Sequence, residues 1–183
     1  MLLSSAIQSF IRYQDLLDRS RETISGYSAE LRYFSTFIAT QYDATRQVSD
    51  ITLSDIENYL LAQKNRGLSS ATRNRSCYIL RSFFNYCVKK DFAPKNLAAL
   101  LEPVKVLSAE RATLTETELE LLAAAIRQPD VRTVVQTLFY TGGRISEILN
   151  LKLAHVDLSR RVIHIFAGKG KKNRDIPICD PLA

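Results

Sequence analysis

A chain of 183 residues can bury one generous core or two small ones, and 46% hydrophobic with 24% charged residues is the balance of an ordinary globular protein. Six Gly and five Pro are too few for a disordered or fibrous chain, and no run approaches the roughly 20 apolar residues that span a bilayer. The net charge of +6, from 25 Lys+Arg against 19 Asp+Glu, favours a polyanionic partner over an acidic or neutral surface.

The first twenty residues lack a basic n-region and a continuous apolar core, so no signal peptide is expected and a cytoplasmic location is. From Ser4 to Lys90 the apolar residues fall at helical spacing. Ile24, Tyr27, Leu31, Phe34 and Ile38 follow the i, i+3, i+4 rule and predict the buried stripe of one helix, with Ser20 as its N-cap. Thr52 and Asp55 form a capping pair that opens a third helix, and Gly67 supplies a left-handed residue to end it. Ser69 or Ser70 starts a fourth helix that runs to about Lys90, where Asp91 and Pro94 break the pattern. Four helices on short connections predict an all-α bundle over residues 1–102.

Residues 103–113 hold a proline and small or charged residues without a period, and read as an interdomain linker. Thr115 and Glu118 then make a capping box ahead of Leu119, Leu122 and Ile126. A further helix from Asp130 through Leu138 should stop at the pair Gly142 and Gly143. Beyond Leu153, residues 162–166 and 175–178 are short β-rich runs around a basic, glycine-flanked tip, which predicts a hairpin. The fold class expected is therefore mainly α, a bundle followed over 114–183 by an α+β unit with a small hairpin or sheet. Cys77, Cys87 and Cys179 are odd in number and form no CxxC pair, so neither a disulfide framework nor a zinc knuckle is encoded. All three read as buried reduced thiols, and no metal site is expected.

Charge is unevenly distributed. From Asn58 to Lys90 there is no acid, while Lys64, Arg66, Arg73, Arg75, Arg81, Lys89 and Lys90 all fall there. On the fourth helix Cys77, Leu80, Phe84, Cys87 and Val88 form the core stripe, and Asn74, Tyr78, Arg81, Asn85 and Lys89 lie on a neighbouring face. Such a face offers phosphate donors together with an amide and a ring able to meet base edges, which points to nucleic acid. A second acid-free stretch, 158–174, carries Arg160, Arg161, Lys169, Lys171, Lys172 and Arg174. Two such segments on opposite sides of a linker suggest a clamp.

The run LFYTGGRISEILNLKL over 138–153 and the run GKGKKNRDIP over 168–177 carry a family likeness. Together they resemble the first half of the tyrosine recombinase (phage integrase) catalytic domain in its Xer-like form: T-G-x-R-x-S-E matches 141–147, and G-K-G-x-K-x-R-x-x-P matches 168–177. The helical half is similar to the family's SAM-like core-binding domain. The resemblance implies Arg144 as stabiliser of a phosphodiester under attack, since a planar guanidinium can hold two non-bridging oxygens. It implies Lys169 as general acid toward the leaving 5′-oxygen, and Glu147 can share a helix face with Arg144 and orient it. Expected DNA contacts are Arg73, Asn74, Arg75, Tyr78, Arg81, Asn85, Lys89, Lys171, Lys172 and Arg174. The partner implied is double-stranded DNA, in a homo-tetramer or related hetero-tetramer, with no cofactor, no membrane and no small-molecule substrate.

Three family elements have no match: an H-x-x-R box, a further His or Trp, and a nucleophilic tyrosine beyond the hairpin. All eight tyrosines precede Arg144. The expectation is a truncated catalytic domain, inactive alone, that is either a piece of a recombinase or a naturally shortened DNA-binding module. A helical interaction protein without a nucleic-acid role is the remaining alternative, which retention on DNA would separate. The glycines are no nucleotide cradle: Gly168 and Gly170 lead into Ile176 and Pro177 rather than a helix, and no P-loop string exists. His155 and His164 begin no H-x-x-R box and read as structural. Apolar faces around Leu138, Ile148 and Leu149 are expected to lack cover in the second half.

Overall fold

Local capping chemistry sets most helix boundaries. In the computed structural model, which describes residues 1–42, 45–106, 112–166 and 173–182, the chain divides into two units, Met1–Ala109 and Glu110–Ala183. The first holds α1 (Leu3–Leu16), α2 (Arg21–Gln41), α3 (Leu53–Asn65) and α4 (Ser70–Lys89). Ser20 caps α2 by accepting from the Thr23 amide, Thr52 and Asp55 close a reciprocal box at α3, and Ser69 caps α4. Gly67 takes the left-handed φ of +81° after α3, and Asp91 turns the chain away beyond α4 at φ +56°.

The bundle core follows the expected stripes and extends past them. Leu31, Phe34 and Ile38 of α2 are buried, as are Cys77, Leu80, Phe84 and Cys87 of α4, while Tyr27 and Val88 are half-buried. Ile79, Phe83 and Tyr86 are buried too, so α4 is wrapped on more than one side, and edge-to-face rings join Phe10 to Phe83 and Phe34 to Tyr59. A buried polar seam crosses this core. Gln63 donates to Glu30 and Ser76, and Tyr59 donates to Glu30 at 2.8 Å.

After Pro94 a 3₁₀ turn, Leu97–Leu100, and the irregular segment behind it fold back on α4. Arg81 donates to the carbonyls of Ala98 and Leu101, and Asn74 pairs with Val104 both ways, at 2.8 and 2.7 Å. The bundle therefore reaches at least to Val104, past the boundary at 102 that composition suggested. Arg81→Ala should free this segment, leaving two carbonyls without their donor at a cost of about 1–3 kcal/mol. Hydrogen exchange at Ala99 and Leu101 is the measurement, and unchanged protection there would refute the assignment.

The second unit holds α5 (Glu116–Ala125), α6 (Pro129–Thr141), α7 (Ile145–Leu149) and strands β1 (Val156–Asp157), β2 (Val162–Ile165) and β3 (Arg174–Pro177). The strands form one antiparallel sheet in the order β1-β2-β3, with Ile165 opposite Arg174 and Ile163 opposite Ile176. Its core is the small cluster Ile163, Ile165, Ile176 and Ile178. Helix α6 buries no residue fully, and Ile145, Leu149 and Leu153 are exposed, the last at 94%. Of the apolar residues expected to lack cover, Leu149 does, Leu138 is half-buried, and Ile148 is buried instead, because it packs onto the bare backbone of Gly143.

Candidate active site and nucleic-acid face

Arg144 stands where one helix ends and another begins. Gly142, at φ +58°, closes α6 by donating to the Leu138 carbonyl at 3.0 Å, a conformation that favours glycine. The Thr141 hydroxyl accepts from the Gly143 amide at 3.1 Å and holds the turn. Arg144 then takes extended backbone ahead of α7, and Glu147, three residues on, reaches back to accept its amide at 2.9 Å. The same carboxylate accepts from Arg144 Nη1 at 2.8 Å, so the expected pair is formed.

Glu147 has a second partner that sequence reasoning missed. Arg174 of β3 donates from Nη1 at 3.0 Å and from Nη2 at 2.6 Å, a two-pronged fork across the carboxylate. Strand parity explains it: residues 174, 176 and 178 share one face of the pleat, so Arg174 points the same way as the buried Ile176 and Ile178. That parity was present in the sequence. The cation expected to face phosphate is thus drawn inward, and the opposite face carries Asp175, which meets His164 at 2.8 Å.

The carboxylate of Glu147 has only 7% of its side chain exposed and accepts four donors. The Arg174 fork, the Arg144 amide and the Arg144 guanidinium hold its pKa down at about 2, against desolvation, from an ordinary 4.5. Two arginines against one carboxylate leave the triad with one net positive charge. Arg144, 52% exposed and tied among the described residues only through its backbone amide and Nη1, keeps Nε and Nη2 for an anion. Because the folded pKa lies below the unfolded one, the triad stabilises this unit above about pH 4.5, and that contribution fades as pH falls towards 2. Glu147→Gln should flatten this acid limb of a Tm against pH curve; an unchanged limb would refute it.

Lys169, Lys171 and Lys172 lie outside the described residues. Of the other cations in the second acid-free stretch, Arg160 meets Asp157, which directly precedes the stretch, at 3.8 Å, and Arg161 pairs with Asp180, an acidic partner brought to it in space. On α4 the expected face divides. Tyr78, Asn85 and Lys89 are exposed, Arg73 reaches Ser70, and Arg75 is exposed with no hydrogen bond or ion pair among the described residues. Asn74 and Arg81 spend donors on the segment behind the bundle, and Arg81 lies 5.6 Å from the Tyr78 ring centroid. Burial raises the thiols of Cys77 and Cys87, the latter up to about 12, whereas Cys179 is only partly covered. Among the described residues no cluster of three His, Cys, Asp or Glu is placed to hold a metal, and no helix is long and apolar enough to cross a membrane.

Two family models match the chain. The model of the phage integrase N-terminal SAM-like domain matches residues 7–91, and that of the phage integrase family matches residues 112–183. Tyrosine recombinase XerD of Ralstonia nicotianae is 31% identical over 95% of this chain and 57% of its own length. XerC of Halalkalibacterium halodurans is 28% identical over 96% and 60%, so the chain spans about three-fifths of these relatives. Among solved structures, a lambda integrase dimer bound to a COC′ core site superposes with a TM-score of 0.81 at 17% identity, covering 97% of this chain and 62% of that one. The Tn1549 transposon integrase with a circular intermediate DNA gives 0.75 at 20%, covering 100% and 62%. At these identities the likeness to the solved structures is one of fold.

Proposed function

The chain belongs to the phage integrase family of tyrosine recombinases, and on that footing we propose that it grips duplex DNA and supplies the electrostatic half of a strand-transfer site. The arrangement of Arg144, Glu147 and Arg174 carries the reading. A phosphodiester under attack gathers charge on its non-bridging oxygens, and Nε and Nη2 of Arg144 form a planar fork for two of them. Glu147 fixes the height of that fork, and Arg174 fixes Glu147 from the neighbouring strand, so the guanidinium is held before substrate arrives. Lys169 is assigned the proton for the leaving 5′-oxygen, and Lys171 and Lys172 the backbone beside it. On the bundle, Arg73, Arg75, Tyr78, Asn85 and Lys89 form the DNA face, with Asn74 and Arg81 supporting it from behind. The complete enzyme acts in the cytoplasm as a tetramer on DNA and needs no metal or nucleotide, since the chemistry is a phosphoryl exchange onto a tyrosine.

No tyrosine of this chain is suited to that exchange. Tyr140 is the single one in the second unit, and partial burial, followed by the charge of Glu116, raises its hydroxyl above the ordinary value. A nicked suicide duplex tests the whole reading. The 183-residue chain should retard the duplex at moderate salt without forming a complex that survives denaturing electrophoresis. Free passage of the duplex would favour a helical interaction protein, and a covalent band would overturn the assignment of tyrosines.

A further inference from the structure

Gly26 lies inside α2, more than a turn from either end, where glycine costs about 1 kcal/mol relative to alanine. No turn or positive φ requires it there. The space beside it is filled by Arg75: a Cβ on Gly26 would fall well inside van der Waals contact of Nη2, with Cζ at 3.6 Å. The guanidinium of an exposed arginine on α4 therefore lies against the backbone of α2. Of the three arginines on α4, Arg73 reaches Ser70 and Arg81 holds Ala98 and Leu101, whereas Arg75 leaves its donors unspent among the described residues.

Arg75, Asn74, Tyr78, Tyr27 and Glu22 line a surface cavity of about 490 Å³ between α2 and α4. A mobile cation suffices for a phosphate, which accepts from almost any direction. A carboxylate such as Glu22 on the same wall also repels an anion. A base edge is different: the paired acceptors of guanine demand a guanidinium in one plane, and the exposed ring of Tyr78 beside it suits a groove floor, the Asn74 amide being spent on Val104.

We propose that Gly26 is a specificity-determining residue, which by lacking a side chain lets Arg75 lie in the one orientation that reads a guanine edge in the major groove. The inference rests on the DNA reading above and adds to it a preference at one base pair. Because the clash falls on the flexible tip of Arg75, Gly26→Ala leaves the bundle folded, with helix content at least that of the wild type, and displaces only the guanidinium.

The test is selection by the purified chain from duplex DNA with a randomised central block. Wild type should prefer guanine at one position by about tenfold, the scale of a single good bidentate contact. Gly26→Ala and Arg75→Ala should each lose that preference at the same position, and the double variant should lose no more than either alone. Preferences unchanged in Gly26→Ala, or weakened equally for all sequences in both variants, would overturn the proposal while leaving DNA binding intact. Retention of no duplex by the wild type would overturn the DNA reading, and this inference with it.

Discussion

Affinity of the chain for duplex DNA should fall about a thousandfold when salt is raised fourfold, from roughly 50 to 200 mM. About six neutralised phosphates give a log-log slope near −5, since each contact releases close to one condensed counterion. The structure refines which cations count. Arg81, Arg161 and Arg174 already hold carbonyls or carboxylates, whereas Lys89 and Lys90 are exposed at the end of α4. Replacing Lys89 and Lys90 by Ala should lower the slope by about two and weaken all sequences alike. Arg81→Ala should leave the slope in place. Binding that is indifferent to salt would remove the electrostatic account, and a slope lowered by Arg81→Ala would return that residue to the DNA face.

The largest effect on chemistry is expected at Arg144. In a longer protein that carries this chain together with a nucleophilic tyrosine, Arg144→Ala should slow DNA cleavage by about 10² or more while leaving DNA affinity nearly intact. The reason is geometric: the residue meets charge that develops only as the phosphate is attacked, and its fork is held by Glu147 in advance. Arg174→Lys keeps the charge but loses the two-pronged grip on Glu147, so its cleavage rate should lie between wild type and Arg144→Ala. Lys169→Ala should be rescued by sulfur in place of the leaving 5′-oxygen, because a thiolate departs without a general acid. Single-turnover cleavage of a nicked duplex measures all three. A rate for Arg144→Ala within a fewfold of wild type would remove it from the site.

What could be read from the sequence was what is decided within a few residues. Ser20, Thr52 with Asp55, and Thr115 with Glu118 cap helices as their spacing requires, and Gly67 and Gly142 take the left-handed turns. The pairing of Arg144 with Glu147 was legible for the same reason, the two being three residues apart across the start of one short helix. The partners of Asn74 and Arg81 were not, because they are main-chain groups 17 to 30 positions away, and any residue presents those. Charge counting along the chain erred in a related way: Arg161 and Arg174 sit in a stretch without acids, yet Asp180 and Glu147 come to them through the sheet and its return. Alternation along β3 placed Arg174 inward with Ile176, a signal that a count of charges overlooks.

The pairing of Asn74 with Val104 has a mechanical side. Two opposed hydrogen bonds, side-chain amide to main chain, imitate one rung of a β-ladder and lie ahead of the point where the chain leaves the bundle. A pull arriving along the chain from residue 105 onward meets this rung first and then the two carbonyls gripped by Arg81, before it can disturb the buried Leu101. Tension is thereby delivered to the middle of α4, between Asn74 and Arg81, and shared with the core. The helix assigned to the DNA is thus also the anchor post of the tether, and strain from whatever the chain is joined to is borne by that helix rather than by a fraying end.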